Sequence, residues 1–317
     1  MRRGYIIAIM ISAVVVAVLV VFYSFEQAAP AYQGKSLRFW LAELSDRSST
    51  RASSIQKAEA ALAAMGTNSL PFILDELRMN DRPRLERMVN TISRFLWMRL
   101  HYRIDYTPAF VRRTGAKEGL TVLAPSLGIP ALTSLLNDRN KEVCDGAAKA
   151  LSQMHDKSSR ESTFGPARAL VSALSHTNRY ARVATATRLR DCGFWTPEAL
   201  PPLLKCLEDS DAELRVEAAL TFEWYYRAFY REPEWASWTE RAAVSSILLH
   251  CLQETNSTIR RSAVISLGRT GDGSPEVLAA IKRTLTDKDR TVSETAERAL
   301  IILHNVSQRR NSRPKDE

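Results

Sequence analysis

The chain has 317 residues, 45% of them hydrophobic, and a formal net charge of +9, so it carries enough apolar surface to fold and is moderately basic without a polybasic block. Its 12 Gly and 13 Pro are too few for a collagen-like or low-complexity chain, and four Cys exclude a disulfide-rich scaffold. Two average domains or one elongated array fit this length.

The N-terminus sets the expected compartment. Residues 1–3 hold Arg2 and Arg3, and Gly4 to Phe25 contains no charged residue. That run is about 22 residues, roughly 33 Å as a helix, enough to cross a hydrocarbon core of about 30 Å. Arg2 and Arg3 make the N-terminal flank the more positive one, which keeps it in the cytoplasm and sends the remainder across. Tyr5 and Tyr23 stand near the two ends, where amphipathic rings favour the interface. The expectation is a single-pass anchor over 4–25 and a linker over 26–35. A cleaved signal peptide is the alternative, because Ala29-Pro30-Ala31 has the small-x-small form of a cleavage site and cleavage after Ala31 would release the chain. The apolar run is longer than the usual signal-peptide core, and no Cys follows it to accept a lipid. A buried helix of a soluble protein is the third reading.

Beyond Gln33 the chain reads as successive helices, without strand-like alternation or hairpin dipeptides flanked by β-branched runs. The last Leu of each first helix recurs at Leu44, Leu77, Leu136, Leu174, Leu207, Leu252 and Leu285. Three of the six spacings are 33 residues, and the longer ones suit the same unit carrying insertions. The second helices place apolar residues at steps of four, four and three, with small Ala mid-stripe, as in Val143, Ala147 and Leu151. The acid between helices (Asp138, Asp209, Asp287) is expected to cap the second helix or to complement its positive end. Seven pairs follow: about 36–66, 69–100, 126–155, 162–193, 197–230, 240–270 and 274–304. One such pair cannot bury its apolar face alone, so stacking supplies the core.

Two spacings carry a resemblance. Pro130 stands eight residues before Asp138 and Pro201 eight before Asp209; Pro71 holds the same place, with Met79 where the acid would be. A basic residue stands six after the acid in Asp209/Arg215 and Glu254/Arg260, whereas Asp138 meets Cys144 and Asp287 meets Ser293. The pattern resembles HEAT repeats, including HEAT-like repeats of the bilin-lyase type, and Tyr32 to Leu41 resembles the opening of bacterial membrane-anchored HEAT proteins. The resemblance implies an all-α, right-handed α–α superhelix over 36–304, preceded by the transmembrane helix and followed by a polar tail over 305–317 expected to be disordered. Within it, Ser36 is expected to cap the first helix and Trp40 to cover the open apolar end of the array.

Catalytic and metal constellations are sparse. None of His101, His155, His176, His250 and His304 lies in HExxH or beside Glu, which sets aside HEAT-like metal hydroxylases. His155 and His304 share a repeat position and are read as caps at the ends of second helices. Cys206 and Cys251 also share one and are read as buried free thiols; without CxxC a zinc site is not expected. Asn256-Ser257-Thr258 is formally a glycosylation sequon, read instead as a helix cap. No GxGxxG, Walker loop or GxSxG occurs, so neither a cofactor nor a catalytic residue is expected.

Two insertions hold the candidate binding residues. The first, about 94–123, mixes aromatics with Arg, including Arg99, Arg103, Arg112 and Arg113. The second follows the fifth pair and holds Trp224, Arg227, Tyr230, Trp235 and Trp238. At about 100° per residue Phe222, Tyr225, Tyr226 and Phe229 continue the core stripe, while Trp224 projects to roughly the opposite side. Trp and Arg in such places suit a protein interface, and exposed Trp also suits an envelope carbohydrate. The function expected is a non-catalytic, membrane-anchored scaffold for a protein partner. A carbohydrate- or polymer-binding module stands second, and a HEAT-like lyase or DNA glycosylase third. A nucleic-acid partner is not expected outside the cytoplasm.

Overall fold

The computed structural model describes residues 30–45, 52–81, 86–89, 91, 93–94, 107–154, 164–192, 197–229 and 238–311, with side chains except at 164, 192, 197, 225–229, 238–241 and 306–311. Among the described residues no helix is long and apolar enough to cross a membrane, and the apolar run 4–25 lies outside them. The chain divides into two compact units, Met1–Ala131 and Leu132–Glu317.

The first unit opens on a feature absent from the sequence reading. Strands β1 (Ala31–Tyr32) and β2 (Lys35–Ser36) pair antiparallel. The turn between them places Gln33 (φ 51°) and Gly34 (φ 73°) in the left-handed region, as a tight two-residue hairpin requires. Two-residue strands are too short to show an alternating pattern, which is why they escape detection. Helix α1 (Leu37–Ser45) follows directly, and Ser36 Oγ accepts from Phe39 N at 3.4 Å, the expected cap. Trp40 is buried beneath the hairpin, its Nε1 donating to Tyr32 O at 3.3 Å. Helices α2 (Ala52–Met65) and α3 (Leu70–Leu77) come next. Pro71 lies in the first turn of α3, where its missing N–H breaks no helical bond.

Helix α4 (Ala109–Leu135) corrects the first insertion. Its early part is core-forming helix: Ala109, Ala116, Leu120, Leu123 and Ala124 are buried. The run is broken at Gly128 (φ 76°, ψ 165°), between Pro125 and Pro130, and the boundary between units falls just beyond. Gly115 and Gly119 let α4 lie against α1. A Cβ at Gly115 would overlap the Leu41 carbonyl oxygen, and one at Gly119 would come within 2.6 Å of Leu41 Cδ2 and 2.9 Å of Leu62 Cδ2. A carboxylate fixes the same corner. Glu76 on α3, 6% exposed, accepts from Arg38 Nε of α1 at 3.0 Å and from Arg112 Nε and Nη2 of α4.

In the second unit helices alternate between two rows. The first helices are the end of α4, α6 (Phe164–Ala173), α8 (Leu200–Leu207), α10 (Trp238–Cys251) and α12 (Pro275–Thr284). The second helices are α5 (Lys141–Gln153), α7 (Arg179–Cys192), α9 (Ala212–Phe229), α11 (Ser257–Thr270) and α13 (Arg290–Asn311). Each second helix packs closely on the next, whereas neighbouring first helices touch sparsely, so the second helices make the inner row of this unit. The predicted stripe is the buried one: Val143, Ala147 and Leu151 on α5, Leu214 and Ala218 on α9, Val292 and Ala296 on α13. Gly268 on α11 brings Ala299 of α13 so close that an added Cβ would sit 2.9 Å from its Cβ. Leu136, Leu174, Leu207 and Leu252 are buried, but Leu285 is partly exposed, because no pair follows it among the described residues. Helix α13 runs to Asn311, which corrects both the end of the array at 304 and the reading of His304 as a terminal cap. The helical backbone continues past His304, leaving it seven positions inside the helix.

Candidate interaction surface

The turns between helices hold the second unit together. Asp138, Asp209 and Asp287 do not cap the second helices. Each accepts from the backbone N–H two residues on, at 2.8, 2.9 and 2.8 Å, and the residue there does the capping. Asn140 accepts from Glu142 N at 2.8 Å, Asn178 from Tyr180 N at 3.1 Å, Asp211 from Glu213 N at 3.0 Å, Asn256 from Thr258 N at 2.9 Å and Asp289 from Thr291 N at 2.9 Å. Asn256 of the formal sequon is therefore a cap. The cap thus stands four residues after each register leucine, a spacing open to view in the sequence but overshadowed by the acid two residues earlier.

Asp209 and Asp287, and Glu254 at the same place in its turn, receive arginines from the preceding repeat. Arg182 donates to His176 O at 2.9 Å in its own turn and reaches Asp209 at 3.3 Å in the next. Arg215 donates to Asp209 O at 2.8 Å and pairs with Glu254 at 3.0 Å; Arg260 donates to Glu254 O at 2.9 Å and pairs with Asp287 at 2.7 Å. The ladder therefore joins each repeat to the next rather than closing within one. Arg182 escaped the sequence reading because His176 holds the acid position, although the six-residue step to the arginine is intact. Where Cys144 replaces the arginine, Asn178 Nδ2 reaches back to Leu136 O at 2.9 Å and Asp138 O at 2.7 Å. The Arg260 guanidinium donates to Asp287 and holds its carboxyl below the usual carboxylate range. Asp289, accepting from Thr291 and Ser257, is lowered to about 2.

The inner row carries a second set of links. Asp145 of α5 pairs with Arg188 of α7 at 2.6 Å, Arg190 of α7 with Glu217 of α9 at 2.9 Å, and Glu223 of α9 accepts from Ser262 Oγ of α11 at 3.1 Å. On α9, Glu213, Glu217 and Trp224 fall within about 40° of one another around the axis. Trp224 is 45% exposed, while Phe222, about 160° away, is 1% exposed. The core and surface sides of α9 therefore separate at adjoining positions. Arg227 and Trp238 lie in helices, but their side chains are outside the described set, and Tyr230, Trp235, Arg99 and Arg103 lie outside the described residues altogether. Arg112 and Arg113 of the first insertion serve carboxylates within the first unit, Glu76 and Asp81, the latter at 2.7 Å.

Cys144, Cys206 and Cys251 are buried and free. Burial raises their thiols to about 11, 11 and 12, so they stay protonated and unreactive near neutral pH. Among the described residues no group of three or more His, Cys, Asp or Glu could hold a metal ion.

No family model matches the chain, and no curated protein matches it. Solved structures resemble it distantly. An engineered protein is 19% identical, with 69% of this chain and 97% of that chain covered at a TM-score of 0.43. A designed armadillo repeat protein in complex with the peptide (KR)4 is 18% identical, covering 74% and 99% at 0.42. A chain from a structure of Kap95p with RanGDP is 12% identical, covering 86% of this chain but 37% of that one at 0.46. These likenesses are too distant to bear on function, and the helical repeat fold rests on the chain's own helix pairs and ladder.

Proposed function

We propose that the chain is a non-catalytic scaffold, anchored in the cell membrane by residues 4–25 with its repeats outside the cytoplasm, that presents the inner row of second helices to a protein partner. Trp224 carries the reading: it stands 45% exposed on α9, on a face whose neighbouring carboxylates are already paired between helices. An exposed indole on a rigid, charge-satisfied helix row is suited to anchoring an interface, because burying it costs little ordering entropy and strands no charge. Glu217, Glu223 and Asp145 each bind a neighbouring helix instead of converging on a common point, which favours scaffold over catalyst. The uncharged run behind Arg2 and Arg3 supports the anchor and its orientation.

The test is photo-crosslinking in intact cells from position 220, in the wild type and in Trp224→Ala. The expected result is a protein adduct whose yield falls about tenfold or more in Trp224→Ala, with an unchanged melting temperature. Undiminished capture would remove Trp224 as an anchor, and an adduct with a glycan would move the assignment to an envelope polymer. A C-terminal reporter active only after export is expected to be active. Activity of a cytoplasm-only reporter there would overturn the topology.

A further inference from the structure

The start of the first unit has a composition and a position that suit a lipid surface. Lys35 Nζ lies 4.0 Å from the centroid of the Phe39 ring and 5.3 Å from that of Trp40. Phe39 is 38% exposed, and its ring meets Trp40 edge-on at 5.1 Å. The hairpin holds this group rigidly, since Leu37 N donates to Pro30 O at 3.0 Å and Trp40 Nε1 to Tyr32 O. From Pro30 to Ala42 the chain carries no acidic residue, and with Arg38 held by Glu76 the basic group it offers is Lys35. Only residues 26–29 separate the end of the apolar run at Phe25 from Pro30. At no more than about 3.6 Å per residue, Pro30 lies within roughly 18 Å of that end.

Building on the anchor reading above, we propose that Lys35 and Phe39 rest on the anionic lipid surface from which the chain emerges. An ammonium over an exposed ring is the chemistry of the headgroup level: the ring enters the acyl boundary and the charge stays among phosphates. Contact here orients the first helix pair against the membrane.

The experiment uses the full-length chain in vesicles of phosphatidylethanolamine and phosphatidylglycerol, with p-benzoyl-phenylalanine replacing either Phe39 or Ile301, which is exposed at the other end of the chain. Lipid adducts are expected at 39 and not at 301. Lys35→Gln is expected to lower the yield at 39 by roughly fivefold, the weight of about one basic group near an anionic surface, and vesicles of phosphatidylcholine alone to lower it similarly. Flotation with the vesicles reads the anchor separately. A chain that floats but gives no lipid adduct at 39, or equal adducts at 39 and 301, overturns this inference and leaves the anchor standing. A chain that fails to float overturns both.

Discussion

Arg260 and Asp287 bind two repeats through two bonds of 2.8 and 2.7 Å, with both side chains almost fully buried. The Asp287 carboxyl is more acidic folded than unfolded, so its contribution is fully present above the ordinary Asp range, near pH 4, and is lost as pH falls below it. Asp289, lowered to about 2, acts in the same direction. Asp287→Asn is expected to cost about 2 kcal/mol at neutral pH and progressively less toward about pH 3, measured by urea unfolding at each pH. A deficit independent of pH would show that the charge is not what matters. On α9, Phe222→Ala should cost about 3–5 kcal/mol through the cavity it leaves, whereas Trp224→Ala should stay within about 1 kcal/mol by thermal melting. A Trp224→Ala loss equal to that of Phe222→Ala would place Trp224 in the core. The thiols give a third readout. With Cys251 raised to about 12, its alkylation at neutral pH should follow unfolding, and peptide mass spectrometry showing rapid labelling of the native chain would contradict its burial.

Among the elements, α4 depends most on a single sequence choice. The i, i+4 pair Gly115 and Gly119 forms the notch that admits the α1 backbone, and nothing larger than hydrogen fits at Gly115. Gly115→Ala is expected to destabilise the first unit by about 3 kcal/mol despite its gain in helix propensity, because the added methyl meets backbone carbonyl rather than a movable side chain. Gly273→Ala, with no neighbour within 4 Å, is the control and should change stability by less than about 0.5 kcal/mol. Equal effects, compared by denaturant midpoints, would remove the close approach as the cause. Beside the notch, Glu76 draws arginines from α1 and α4 onto α3, so it serves as a clamp and not as a candidate acid.

At the scale of the whole molecule, each unit holds its own buried core, with the boundary at Ala131/Leu132 beside a break at Gly128. Gly115→Ala should therefore expose the amides of the first unit to exchange at lower denaturant while those of 132–317 keep their protection. Hydrogen exchange read by mass spectrometry checks this. Simultaneous loss across 36–304 would show instead that the repeats unfold as one array, as the register leucines by themselves suggest.

The sequence by itself determined the helix pairs, their apolar stripes and the register leucines, because a repeated local pattern must bury the same face in every copy. It also separated Phe222 from Trp224, since helical geometry alone puts them on different sides. Tertiary structure decided what depends on neighbours far along the chain. It turned each arginine to the following repeat's acid, and it made the early part of α4 core by placing Gly115 against Leu41. Those outcomes arise from packing between segments roughly 27 to 75 residues apart. No local spacing encodes such pairings, because a carboxylate or a glycine notch takes its role from the partner that the fold brings to it.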